Sequence, residues 1–354
     1  MGLVKSVTLL AVCAVASAHA ETLDELVENS HFRRARPLVE QRLKMNPNDA
    51  RANYLLARIN EAFGDRDRAV ALLEKAVALD ARNAGYHALL GELYGRQAQS
   101  ASVFRQLGLA RKCKRSIETA VSLDPAHLEA NICLMMYLSE APRIIGGDKK
   151  RAAGIPDELA KREPVKGWLA RAYFAEEKGE KDRAENYYRQ AVESGPQSFL
   201  AHTRYAGALI ERKPPKLEFA EKHSQAAKQL NPQHVLPHIQ LAVTYAMGER
   251  WVELEKALNE SASMIPDNLQ PYYSAARVLV DSGKELERAE AYLRRYIAQA
   301  PEGGATPHAQ AHWTLGLLYE KLGRKSDALA ELQKSVALQS DFEPARKDLK
   351  RLRG

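Results

Sequence analysis

Between residues 309 and 338 two apolar stripes of helical period meet at a glycine. Leu315, Gly316, Tyr319 and Leu322 fall one turn apart, and Ala328, Leu329, Leu332, Ser335 and Val336 do the same after Gly323. Gly323 can take the left-handed turn that joins the two helices. Gly316 and Ala328 are small where the backbones should cross, and Trp313, Tyr319 and Leu332 fill the space beside them. A pair built this way packs closely but leaves its outer face uncovered, so the chain must supply a neighbour of the same kind.

The order of residues in this stretch resembles the tetratricopeptide repeat, in which an aromatic, Leu-Gly and Tyr precede an Ala and a bulky residue four later. Trp313, Leu315-Gly316, Tyr319, Ala328 and Leu332 meet it; Trp313 stands one residue closer to Leu-Gly than the pattern asks, and Ser340 replaces the usual closing proline. The resemblance implies an all-α, right-handed superhelical solenoid of antiparallel helix pairs. Composition agrees, with Ala, Leu, Glu, Arg and Lys abundant and only 7 Phe and 3 Trp in 354 residues.

Taken in order, the chain opens with Lys5, an apolar run from Val7 to Ala18, and Ala18-His19-Ala20 before Glu21. This has the charged start, short apolar middle and small-x-small end of a secretory signal, so residues 1–20 are expected to be removed and the protein to be periplasmic or secreted. An uncleaved anchor and a lipid on Cys13 are the alternatives; the run is shorter than a bilayer span, and Val12 is bulky where a lipidation site wants a small residue. Cys113 and Cys133 are then the two remaining cysteines, too few for a disulfide framework. They could form one bridge or sit as buried thiols.

Residues 21–49 read as a partial repeat, 50–341 as an array of about eight repeats, and 342–354 as an amphipathic capping helix. Units open at Leu56-Ala57, Leu90-Gly91, Leu169-Ala170 with Tyr173, Tyr205-Ala206, Leu241-Ala242, Ala275-Ala276 and Leu315-Gly316, with a further helix around Leu134 and Leu138. The second full unit is too long, and the helix-spaced Ala98, Ala101, Phe104 and Leu107 predict a lengthened hairpin. Ala141-Pro142 ends a helix before a short Ile144-Ile145-Gly146-Gly147 loop; both insertions are expected to project as contact elements. In these features the chain resembles secreted bacterial repeat proteins with a long second repeat, an Ala-Pro-x-Ile-x-Gly-Gly loop and a late Leu-Gly-x-x-Tyr-Glu-Lys repeat. Pro156 predicts a late start or a kink in its helix, Trp168 reads as an end-of-helix aromatic, and residues 301–307, with Gly303-Gly304, read as a flexible link.

No phosphate-binding glycine loop, nucleophile elbow, metalloprotease helix or dinucleotide fingerprint occurs, so no catalytic residue, cofactor or metal is expected. His234 and His238, and His308 and His312, are four apart, but neither pair has a third ligand nearby in sequence, and polar positions at helix starts account for them.

In the resembled family the first helix of each repeat lines a concave groove. Carried over repeat by repeat, its inward positions give Tyr54 and Arg58, Glu92, Met136, Arg171 and Phe174, Ile239 and Val243, Tyr273 and Arg277, and Trp313, with Arg204 beside that line. Tyr54, Arg58, Arg171, Arg204, Tyr273, Arg277 and Trp313 mix arginine with rigid aromatics. That is a composition suited to another protein or peptide carrying acidic or C-terminal carboxylate groups. The Lys and Asn ladder of cytosolic chaperone-binding members is missing. Basic clusters at Arg33-Arg34, 111–115, 149–151 and 346–353 accompany the formal charge of +7. They offer an alternative, a peripheral binder of anionic membrane or envelope polymer; export argues against nucleic acid.

Overall fold

The computed structural model describes residues 21–304 and 307–354; residues 1–20, expected from the sequence to be a signal segment and including Cys13, lie outside the described residues. The first pair of helices is α1 (Leu23–Glu28) and α2 (Phe32–Met45). Eight full pairs follow among the described residues. They are α3 (Ala50–Ala62) with α4 (Arg66–Leu79), α5 (Ala84–Ser100) with α6 (Val103–Leu123), α7 (Leu128–Glu140) with α8 (Lys149–Arg162), and α9 (Pro164–Glu177) with α10 (Lys181–Ser194). The second half holds α11 (Phe199–Glu211) with α12 (Leu217–Leu230), α13 (Val235–Met247) with α14 (Trp251–Met264), α15 (Gln270–Ser282) with α16 (Leu286–Ala298), and α17 (Pro307–Lys321) with α18 (Lys325–Leu338). A last helix, α19 (Glu343–Arg353), covers the end, and no strand occurs among the described residues.

Local sequence explains where these helices start. Thr22 and Glu25 form a reciprocal capping box on α1, and the side chains of Asp49, Asp65, Asn83, Asp148 and Ser198 accept from backbone N–H groups of the turns they open. Gly323, with φ 72°, makes the turn from α17 to α18 as its sequence position requires. Within each pair, small residues let the backbones meet. A Cβ at Gly316 would lie 2.7 Å from Leu332 Cγ and one at Gly91 2.6 Å from Ile117 Cγ1; between successive pairs, one at Gly167 on α9 would lie only 2.4 Å from the Ala160 Cα on α8. Around these crossings Leu55, Ile59, Leu73, Leu93, Leu134, Leu209 and Tyr319 are fully buried, each aliphatic side chain contributing roughly 1.5–3 kcal/mol.

The long second unit is a lengthened hairpin, as its spacing predicts: α5 has 17 residues and α6 21, against 13 and 14 in α3 and α4. Other expectations are corrected. The helix containing Pro156 begins on time at Lys149 and runs through the proline, whose buried ring faces the core. Trp168 lies in the first half of α9, not at a helix end. Cys113 and Cys133, for which the sequence leaves both a bridge and buried thiols open, are free thiols as in the second reading, and burial pushes them up to about 11 and about 12.

A larger departure concerns the neighbours each repeat touches. The α1–α2 connection packs on three second-to-first-helix turns more than 200 residues away. Asn231 Nδ2 donates to Asn29 Oδ1 (2.9 Å), Asn268 Nδ2 to the Ser30 carbonyl (3.3 Å), Arg33 N–H to Glu302 Oε2 (2.7 Å), and Gly304 N–H to the Ala62 carbonyl (2.6 Å). The spiral thus returns to its own beginning, and residues 301–304, expected as a flexible link, are part of the seam; residues 305–306 lie outside the described residues.

At the centre of the seam is His31, fully buried, with Nδ1 2.8 Å from Asp267 Oδ2 and Nε2 3.0 Å from the Gln233 carbonyl. Both partners can only accept, so both ring nitrogens donate and the ring is an imidazolium. Burial alone would lower its pKa, but the hydrogen bond and charge of Asp267 outweigh it and the net shift is upward. Asp267 is correspondingly held below its ordinary range: burial opposes this, and the His31 hydrogen bond prevails. Beside them burial pushes Glu302 up to about 7, against the Arg33 N–H.

Gly167→Ala is expected to destabilise by about 1–3 kcal/mol through overpacking on Ala160, whereas Gly108→Ala, where an added Cβ meets nothing within 4 Å, is expected to stabilise by roughly 0.5–1 kcal/mol, both read from denaturant melts. Each titrating group of the seam responds to pH with its own sign. His31, its pKa raised, contributes stability below its ordinary value and loses it as pH rises through the folded value. Glu302, also raised, loses stability from its ordinary range up to about 7, while Asp267 loses its share only in acid. Glu302→Gln, which keeps the acceptor for Arg33, is therefore expected to be more stable than the unaltered protein by about 1–3 kcal/mol at pH 8 and to differ little from it at pH 5, read from denaturant melts at each pH.

Candidate functional site: the inner face of the first helices

Each first helix leaves one stripe unburied, and these stripes form the inner face. On α13 the stripe is apolar: Ile239 and Val243 are half-buried and Met247 is exposed. The first helices on either side, α11 and α15, present Arg204 and Arg277, both exposed and making no ion pair or side-chain hydrogen bond among the described residues. Closure of the spiral brings in a third cation. Arg58 of α3 lies close enough to His234, at the start of α13, to add to the burial that holds that imidazole down to about 4. Arg58 is half-buried and likewise makes no ion pair among the described residues. His234 remains neutral, accepting from the Leu236 N–H (3.1 Å), its ring 4.7 Å from that of Phe199. The apolar strip of α13 thus lies between two first helices that carry Arg204 and Arg277, with Arg58 near its start; Arg204 also acts electrostatically on Glu176 of α9 without forming an ion pair with it.

The other residues singled out from the sequence sit elsewhere. Arg171 donates to Asp157 on α8 (2.6 Å) and stacks 4.4 Å over Trp168, so it ties two units together. Trp313 donates to Asp348 (2.8 Å) and meets Phe342 edge-on, so it anchors α19. Tyr273 is buried 5.0 Å from Tyr296, and Tyr54 is half-buried against Tyr86 at 4.9 Å. Glu92 pairs with Arg96, Met136 Sδ accepts from the Tyr173 hydroxyl, and Phe174 lies beneath Lys178. Large rings at inward positions thus serve the joints between repeats. The histidine pairs likewise turn to separate partners: His238 to the Pro232 carbonyl, His308 to the Gln299 carbonyl and His312 to Glu331.

Sequence reasoning missed a recurring joint. The hydroxyl of Tyr245 donates to Glu221 on the preceding unit (2.9 Å), and Arg250 pairs with the same carboxylate while lying 4.9 Å over the ring. Tyr319, Glu290 and Arg324 repeat the geometry, with 2.7 Å for the hydroxyl bond and 4.3 Å for the stacking. Tyr94, Glu74 and Lys112 do so across the long hairpin. Burial first, then the carboxylate, pushes Tyr245 and Tyr319 up to about 12. A Tyr-x4-Arg spacing at Tyr245 and Tyr319 was the available signal.

Tetratricopeptide-repeat family models match at residues 26–93, 165–197 and 273–342, near the start, middle and end of the spiral. The chain is a tetratricopeptide-repeat protein. Solved structures similar to it include a tetratricopeptide repeat protein from Parabacteroides merdae, at 17% identity over 75% of this chain and 99% of that one, TM-score 0.47. Yeast Tom70 is similar at 16% identity over 93% and 79%, TM-score 0.47, and a repeat protein from Thermus thermophilus at 24% over 53% and 95%, TM-score 0.44. No curated protein matches the chain. Repeats of this kind support a protein-interaction scaffold.

Because Trp313 serves the joint with α19, Trp313→Ala is expected to cost about 3–5 kcal/mol of stability at the C-terminal end. Hydrogen exchange should show the loss confined to α17–α19, with α11–α15 unchanged.

Proposed function

We propose that the protein is a non-catalytic scaffold, periplasmic or secreted, that holds a segment of another protein across α11, α13 and α15. The observation that carries this is the apolar strip of Ile239, Val243 and Met247 set between unpaired Arg204 and Arg277, with Arg58 brought to its end. On a surface where most other arginines have carboxylate partners, cations left unpaired beside apolar side chains are suited to an incoming segment with apolar residues flanked by carboxylates. Export is supported by the charged, apolar and small-x-small succession ahead of Glu21.

Reversing Arg204 and Arg277 to Glu is expected to abolish capture of the partner recovered from the native envelope, a loss of about 2 kcal/mol or more per anchor, without changing the melt. Reversing Arg346, Lys347 and Lys350 on α19 should alter only the salt dependence of capture. Loss of the partner in the α19 variant and its retention in the groove variant would refute the assignment.

A further inference from the structure

One face of the long hairpin is covered by nothing in the described array. At 100° per residue, Phe104, Leu107, Arg111, Lys114, Arg115 and Glu118 fall within an arc of about 100° on α6. The opposite arc carries Cys113, Ile117 and Ala120, which are buried. At the tip of the uncovered arc Phe104 is 97% exposed and Leu107 41%.

About 15 Å further along α6 the same stripe meets the second insertion. The loop at Gly146 lies against Lys114 Nζ, whose ammonium is 5.9 Å from the centre of the Tyr137 ring, and the Tyr137 hydroxyl donates to the Ile145 carbonyl (2.8 Å). Pinned in this way, the loop turns Ile144 outward, 94% exposed. The two insertions, separated in sequence, build one surface with an apolar prong at each end.

Its charge is mostly positive, with Glu118, the one carboxylate in the arc, paired to Lys114 and Arg151. No acidic residue occurs between Glu92 and Glu118, a stretch that holds Arg96, Arg105, Arg111, Lys112, Lys114 and Arg115. Arg105, Arg111 and Arg115, together with Arg143, Lys149 and Lys150 at the loop and the start of α8, make no ion pair among the described residues. In the C-terminal cluster Arg346 and Lys347 pair with Glu343, and Arg351 with Glu320 and Asp348, while Lys350 and Arg353 make no ion pair among the described residues.

We propose that this face docks on an anionic lipid bilayer, with Phe104 and Ile144 entering the interfacial layer and the unpaired cations lying against headgroups. Protruding apolar side chains with no concavity around them fit a soft planar surface better than a protein pocket, and the unopposed positive charge selects an anionic one. No residue of the inner face takes part, and the two sites stand or fall separately.

The test is co-sedimentation of the full-length mature protein with phosphatidylglycerol–phosphatidylcholine vesicles and with pure phosphatidylcholine vesicles. Binding is expected to the anionic vesicles only, and to weaken about tenfold or more in Arg111→Glu/Arg115→Glu and in Phe104→Ser/Ile144→Ser. Arg346→Glu/Lys347→Glu, with the same change in net charge as the first pair, should bind as the unaltered protein does. All three variants alter exposed side chains, so circular dichroism should be unchanged. Equal weakening by the C-terminal pair, indifference to the loss of Phe104 and Ile144, or binding to polyglutamate without binding to anionic vesicles would each overturn the proposal, the last in favour of an acidic protein.

Discussion

The close approach of two helix backbones inside each repeat sets the geometry of everything larger. Where Gly316 faces Leu332 and Gly91 faces Ile117, the glycine brings no side chain between the helices, and the angle of the pair is fixed by close contact at the crossing. Repeated through the chain, that angle curves the array until its first connection meets the turns before α13, α15 and α17. A small-residue rule within about thirty residues thereby determines a contact across more than two hundred. His31 and Asp267 then secure with charge what packing has already brought together.

Pairing of the charges divides the surface by use. Tyrosine, glutamate and arginine interlock at successive joints, and Arg171 and Arg351 are tied to carboxylates in the same way. Ion pairs as exposed as these contribute little each, but they commit those arginines to the joints. Cations without an ion pair occur along the whole described chain, and in two regions they stand beside exposed apolar side chains: around α13 and on the long hairpin. Two regions with different shapes, one concave and one protruding, are therefore the places where the protein has binding capacity in excess of its own structural needs.

The helix pairs were legible because each rests on local rules: apolar period, a small residue at the crossing, a cap and a turn glycine. The lengthened hairpin was legible for the same reason, since its surplus residues kept the helical period. What could not be read depends on curvature accumulated over many units. Nothing near His31 announces Asp267 or Gln233 as partners, and the glycines at 303 and 304 look like a loose link until Ala62 is placed beside them. For the inner face, the positions carried over from the family leave Arg58, Ile239, Val243 and Arg277, with Arg204 beside that line, at least partly exposed. They failed at Arg171, Tyr273 and Trp313, where a large side chain found a neighbouring helix to pack on. Position along a helix is a local property; whether a ring is left uncovered is decided by the next repeat.

The seam between the first connection and the last turns also constrains how this protein can change over time. An open solenoid can gain or lose a repeat and remain a solenoid, since only one joint is remade. Here the removal of one unit from the middle would swing the ends past each other and leave His31 a buried cation without its carboxylate. Duplication would do the same in the opposite sense. Repeat number is therefore a closed-ring quantity, fixed by the angle per unit, whereas insertions such as the hairpin and the 141–148 loop add surface without adding a step to the spiral.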